Sequence, residues 1–309
     1  MRKIGFYVTA LVASVLASCS NEENIVSPVE DAEQFVAVIA EGESRTSLDT
    51  DGQGVLWNTT DDLTIFRKNA YNYKYILTSG EGTKSATFKF DGENYTAGSA
   101  TGIDKYYAVY PYNEDIVINE NKEVTVSIPS IQAYTAGTYD PKAAFMFAES
   151  DNTTLSFKNA HALLKVVLAK MPGDADYEIN SIELSSDNVL SGNAKISMME
   201  EEANRVPSVT IADNGTKSLT LNCGNGVIVN KEKLTEADAV FYLVVTPGTY
   251  SNLKLTLNGD NGYKKELRIP TEKSTIKRNS ILTIEHVCGN EEFTGGIEGF
   301  GSTGQDAAQ

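Results

Sequence analysis

Apolar residues fall at every second position along most of the chain after Gln34. Tyr71, Tyr73 and Tyr75 alternate with Asn72 and Lys74, the period-two pattern of a strand with one aromatic face. Ala86-Thr87-Phe88-Lys89-Phe90 alternates likewise and stops at the turn pair Asp91-Gly92. Lys105 to Tyr110 is aromatic and ends at Pro111, which cannot donate to a ladder, and Val124 to Ile128 stops at Pro129. Ile182 to Leu184, Val209 to Ile211, Leu219 to Leu221 and Leu253 to Leu257 continue the style, with Asn258 to Gly262 turning the chain before Tyr263. Phe241 to Val245 is uniformly apolar, which predicts a central strand buried on both faces. Ala162 to Leu168 has a helical alternative, but Val166-Val167 and the flanking alternation favour a strand. Evenly spaced short strands with turns between them predict an all-β chain of sandwiches. The polar break Asp151-Asn152 divides it in two.

The first strand differs from the others. Phe35, Ala37 and Ile39 fall on one face and Val36, Val38 and Ala40 on the other, so both faces are apolar. Such a strand is expected in a groove between sheets. The polar run Glu41-Gly42-Glu43-Ser44-Arg45-Thr46 follows it, an exposed loop of the kind proteases cut. An ordinary surface arginine in a hairpin is the alternative for Arg45. Ahead of the strand, Met1-Arg2-Lys3 is basic and Ile4 to Leu16 is apolar. That run is shorter than the roughly 20 residues of a membrane span and ends in small residues, as a secretory signal does. Leu16-Ala17-Ser18-Cys19 resembles the lipobox of bacterial lipoproteins, which implies cleavage before Cys19 and acylation of its thiol. Two or more acyl chains make a stable anchor, because each buried methylene adds about 0.8 kcal/mol. The acidic stretch Ser20-Asn21-Glu22-Glu23-Asn24 resembles the signal that sends some Gram-negative lipoproteins to the outer face of the outer membrane.

Charge narrows the partners. With 309 residues and a formal net charge of −16, the chain has no basic array for phosphate, so nucleic acid is not an expected partner. Once Cys19 is used, Cys223 and Cys288 remain, as two buried free thiols or one disulfide. The two histidines, His161 and His286, lack the ligand spacing of a structural metal site, so no metal or cofactor is expected. Asp49 to Gly54 approaches a calcium loop, but Thr60 stands where its final Glu belongs, and a β-turn is the better reading. Asp61-Asp62 are neighbours on a strand and point to opposite faces, which excludes a paired-carboxylate site. The tyrosines at 71, 73, 75, 106, 107, 110 and 112 fit sheet packing better than a sugar-binding face. No catalytic fingerprint occurs, and no enzyme is expected.

Several phrases together carry a family resemblance. They are Arg45-Thr46-Ser47-Leu48, Trp57-Asn58 with Asp61-Asp62, Tyr106 to Tyr112 and Ile128-Pro129-Ser130-Ile131-Gln132. In the second half follow Phe157 to Val166, Phe241 to Leu257 with its Pro247-Gly248-Thr249-Tyr250 turn, and Arg278-Asn279-Ser280-Ile281. From about Phe35 to Val287 the chain resembles the fimbrillin family, the lipoprotein subunits of type V pili. The resemblance implies two tandem transthyretin-like β-sandwich domains. It also implies a life cycle in which an Arg-specific surface protease cuts after the first strand, and a strand from another pilin subunit fills the vacated groove. On this reading residues 1–18 are the lipoprotein signal, 19–34 an acidic linker, 35–151 the first sandwich and 152–288 the second. Residues 35–45 are then the removable strand, Arg45 precedes the cut and Thr46 begins the mature chain. The Gly-rich segment 289–309 is the candidate donor, with Phe293, Ile297 and Phe300 as its apolar residues. The implied protein is a surface-exposed outer-membrane lipoprotein that becomes a structural subunit of adhesive fimbriae. The sparse apolar ladder of the tail leaves open a tip or anchor subunit, or a permanently lipidated surface binding protein.

Overall fold

The structure, a computed structural model, describes residues 33–40, 56–67, 70–168, 176–201, 204–229, 240–285 and 297–299. In chain order the strands are β1 (Gln34–Ile39), β2 (Asp62–Phe66), β3 (Asn72–Ser79), β4 (Ser85–Thr96), β5 (Tyr106–Tyr110), β6 (Val117–Ile118), β7 (Val124–Ile128) and β8 (Ile131–Ala133). They continue with β9 (Met146–Ser150), β10 (Thr154–Asn159), β11 (Ala162–Val167), β12 (Tyr177–Ser185), β13 (Gly192–Glu201), β14 (Asn204–Ile211) and β15 (Ser218–Val229). The last are β16 (Val240–Val245), β17 (Gly248–Thr249), β18 (Lys254–Gly259), β19 (Lys264–Arg268), β20 (Thr275–Ile276), β21 (Ser280–Glu285) and β22 (Ile297–Gly299). The chain is all-β, as the alternation predicts, and Ala162 to Val167 is a strand rather than a helical turn.

A closed barrel occupies the first region, in the order β1-β10-β9-β5-β2-β3-β4. Alternation decides which side chains enter it. On β3 Tyr73 and Tyr75 point inward, and on β4 Ala86, Phe88 and Phe90 do the same. Trp57, fully buried, organises the interior by meeting Phe88, Tyr110 and Phe157 edge-on at 5.2, 5.8 and 5.6 Å between ring centroids. A second sheet, β14-β13-β7-β6, packs against the outside of the barrel. There Val124, Val126, Ala194 and Ile196 cover Phe66, Val109 and Phe147.

The second region is a two-sheet sandwich. The sheets β16-β11-β21-β22 and β19-β18-β12-β15-β8 share one core, made mostly of leucine, isoleucine and valine. The two regions exchange strands. β8 leaves the first half of the chain to pair in parallel with β15, while the β13–β14 hairpin returns to pair with β7. The polar break at Asp151-Asn152 sits in the turn between β9 and β10, and the chain passes from barrel to sandwich between Asn159 and Ala162.

β16 corrects one expectation. Both its faces are buried, with Phe241, Leu243 and Val245 toward the sandwich core and Tyr242 and Val244 toward Tyr139, Ala144 and Leu163. Yet β16 is at the end of its sheet rather than in the centre. The fully buried Gln132 of β8 closes the exposed edge. Its amide donates to the Val244 carbonyl at 2.8 Å and its oxygen accepts from the Val244 N–H at 2.8 Å. One side chain thus satisfies both main-chain groups that a neighbouring strand would satisfy.

Candidate functional site

The slot of β1 is where the sequence-predicted first strand meets the rest of the fold. β1 runs antiparallel to β4, with Phe35 opposite Phe88 and Ala37 opposite Ala86. On its other side it runs parallel to β10, with Ala37 opposite Leu155 and Ile39 opposite Phe157. Main-chain bonds continue past the ladders: the Val36 N–H donates to Thr153 O at 2.9 Å, Ile39 to Lys84 O at 2.9 Å and Ala40 to Phe157 O at 3.0 Å. A single strand, the first of those described, therefore closes the barrel.

Phe35, Ala37 and Ile39 are the inward face and are buried. Phe35 meets Tyr75 and Tyr106 edge-on, at 5.1 and 4.9 Å. Tyr106 in turn donates its hydroxyl to Glu33 at 2.8 Å, which ties down the residue just ahead of the strand. Arg67 donates its Nε–H to the Tyr75 hydroxyl at 3.0 Å, and its guanidinium lies 4.8 Å from the Tyr73 ring centroid. Burial pushes the Tyr75 phenol up to about 12, against the opposing pull of Arg67. The other face corrects the expectation of a strand buried on both sides. Val36 is 38% exposed and Val38 only half-buried. A barrel has one interior, so alternate residues of β1 must point outward, whereas a groove between two sheets would cover both faces.

Other sequence candidates separate clearly. Cys19, Arg45, Thr46, Phe293 and Phe300 lie outside the described residues, as do the signal segment, Asp49 to Gly54, His286 and Cys288. Ile297 is described through its backbone, which pairs with Leu282 as β22 lies along β21. Cys223 is a buried free thiol whose pKa burial raises to about 12. His161 is buried with Nδ1 3.1 Å from the Phe145 carbonyl oxygen, and among the described residues no cluster of His, Cys, Asp or Glu is placed to hold a metal ion. Asp61 and Asp62 do point apart. Asp61 accepts from the Tyr110 hydroxyl at 3.0 Å, while Asp62 pairs with Lys74 at 3.0 Å. The tyrosines do not form one face. Tyr73, Tyr75, Tyr107 and Tyr110 are buried, while Tyr71 stacks on the half-exposed Tyr95 at 5.9 Å. Trp57 and Gln132 belong to phrases noticed for their resemblance, but nothing in their local pattern announces a barrel centre or an edge plug.

No protein-family model matches the chain. No curated protein matches it either. Solved structures do. A "putative cell adhesion protein" from Bacteroides uniformis is 15% identical, with a TM-score of 0.52 over 86% of this chain and 98% of that one. A second so described, from Bacteroides ovatus, is 13% identical, with a TM-score of 0.50 over 88% and 99%. The chain has their fold. The tip fimbrial protein Mfa3 of Porphyromonas gingivalis is also a neighbour, at 12% identity, 86% and 98% coverage and a looser TM-score of 0.36. The neighbours named here are described as cell adhesion and fimbrial proteins.

Proposed function

We propose that this chain is a fimbrial-type cell-surface adhesion subunit, a tandem transthyretin-like lipoprotein anchored in the outer membrane through Cys19. It is cut after Arg45 by an Arg-specific surface protease and joined to other pilin subunits by strand exchange. The observation that carries the reading is the position of β1. The strand closes the barrel, is bonded along both edges, and precedes the candidate cleavage loop by only a few residues. Its departure would strip Ser85 to Lys89 and Thr154 to Phe157 of their ladder partners and vacate three buried positions. An opened edge of that kind is a template for another strand. The tail supports the same reading in its sequence. Phe293-x-Gly295-x-Ile297 repeats, in the same direction, the aromatic-small-aliphatic spacing of Phe35-x-Ala37-x-Ile39. A second reading, an anchor or tip subunit or a permanently lipidated binding protein that does not polymerise, is favoured by the pairing of β22 with β21 of its own chain.

The test uses a soluble Cys19→Ser form treated with an Arg-specific protease, followed by intact mass and a search for SDS-resistant oligomers. One cut after Arg45 with a ladder of oligomers is the expected result. A cut without a ladder supports the anchor or tip reading. Resistance at Arg45 overturns cleavage-triggered assembly and leaves the lipidated binding protein.

A further inference from the structure

A cleft of about 1000 Å³ lies away from β1, between the connection leaving β5 and the sheet that backs the barrel. Its walls are the turn before β2, the β5–β6 connection, β7, the 3-10 turn at Pro141–Ala143 and Asn193 of β13. The size is at the upper end of ligand pockets, which run to about 1,000 Å³.

Two of its carboxylates are already engaged. Asp61 holds the Tyr110 hydroxyl and the Asn58 N–H, and Asp62 holds Lys74. Other polar groups are not, among them the side chains of Asp115, Lys142 and Asn193 and the hydroxyl of Tyr112, which line the cleft without a hydrogen bond to any described residue. The ring of Tyr112 is held in place from another side by Lys74, 5.4 Å from its centroid.

The walls limit what binds. β7 is paired with β13 along its length, while β6 covers its other edge only at Val124 and Thr125; β2 is paired with β3 and, from Thr64 to Phe66, with β5. The uncovered edge of β7 runs only from Val126 to Ile128 and stops at Pro129, which cannot donate, so an extended peptide finds too short a ladder to be held by main-chain bonds. Recognition falls to side chains. Asp61, Asp62 and Asp115 against a single Lys142, on a chain of net charge −16, disfavour anionic ligands. What remains is an acceptor in Asp115, a donor in Lys142, and groups that do both in Asn193, Tyr112 and the hydroxyls of Thr60, Thr125 and Ser127. Ligand hydroxyls, which donate and accept at once, match that mixture. The Tyr112 ring adds an apolar surface for the C–H face of a pyranose.

We propose that this cleft binds a neutral oligosaccharide. The inference stands apart from strand exchange, because the cleft is complete while β1 is in place. The test is isothermal titration of the soluble full-length Cys19→Ser chain with a pool of neutral di- to hexasaccharides, then with its active fraction. The same titration is run on Lys142→Ala and Asn193→Ala, both at exposed positions, with circular dichroism to verify the fold. Saturable binding that weakens about tenfold in each variant is expected, as for loss of one hydrogen bond to the ligand. Absence of binding by the whole pool would overturn the proposal. So would binding that both variants retain in full, or binding confined to sialylated or sulfated sugars run in parallel.

Discussion

The barrel and the sandwich solve the problem of sheet edges in opposite ways. The barrel removes its edges by closing on itself, and β1 is the strand that completes the circle. The sandwich leaves its sheets open and guards them individually. Gln132 plugs the edge at Val244, and β22 lies along β21. Their cores differ to match. Among the described residues, eight of the barrel's buried core side chains are aromatic, Trp57 among them, whereas the buried sandwich core has Phe241 and Tyr250 among its aliphatics, with Tyr134, Tyr177 and Tyr263 at its margin. Large rings fill a barrel interior with few residues, and three of the interior positions belong to β1. A structure closed by one strand concentrates its vulnerability there. One guarded edge by edge spreads it.

Four measurements break or sharpen that contrast. The largest effect is expected from Phe35→Ala, which empties a site ringed by Tyr75 and Tyr106. Urea unfolding should show a loss of about 3–5 kcal/mol, the usual range for a buried Phe→Ala change. A loss below about 1 kcal/mol would mean that the barrel closes without this side chain. Next comes Gln132→Leu, which leaves the Val244 N–H and C=O unpaired beside the sandwich. Each buried group left unsatisfied costs about 1–3 kcal/mol. Hydrogen exchange at Val244 should accelerate more than exchange at Leu164, its neighbour strand's core residue, and equal acceleration would dismiss the edge-plug account.

Alkaline titration probes buried phenols in both regions, most of them in the barrel. Burial raises Tyr75 and Tyr107 to about 12 and Tyr110 well above its ordinary value, all three on barrel strands, and it raises Tyr250 of the sandwich core as well. A phenol with a raised folded pKa keeps its proton to higher pH in the native state than in the unfolded chain. Its contribution is therefore whole below the unfolded value near 10 and is lost as pH rises through about 12. Melting followed by fluorescence of Trp57, the single tryptophan, should fall steadily above pH 10. A flat profile would count against this account of the buried phenols. The smallest effect is expected from Val36→Lys on the outward face of β1. Stability should change by no more than about 0.5 kcal/mol, as for ordinary surface positions. A loss comparable with that of Phe35→Ala would mean that a covering layer shields both faces.

How much was legible in the chain depended on whether the signal is local. β1 was readable to within a residue, because Phe35, Ala37 and Ile39 repeat with the two-residue period of a strand. The same pattern left the environment of Val36 and Val38 undecided, since an apolar outward face looks identical in a groove and in a barrel. Phe241 to Val245 shows the same limit. Uniform apolarity correctly announced two buried faces, but not the ladder, because Gln132 supplies the missing partner from a position 112 residues away. The slot has its flanking strands from Ser85 to Lys89 and from Thr154 to Phe157, and no short-range pattern joins those segments to Gln34–Ile39. The cleft was illegible for the same reason. Asp115, Lys142 and Asn193 are unremarkable surface residues until the fold collects them.

Residue order alone determined the all-β class and the inward face of strands that alternate clearly, such as β3 and β4, since these follow from a two-residue period and from turn chemistry within a few residues. Closure of the barrel by β1, the exchange of β8 and the β13–β14 hairpin between regions, and the plug at Val244 were decided only in three dimensions. Main-chain N–H and C=O groups are the same at every position, so the choice of ladder partner is made by packing between distant segments and leaves no local trace.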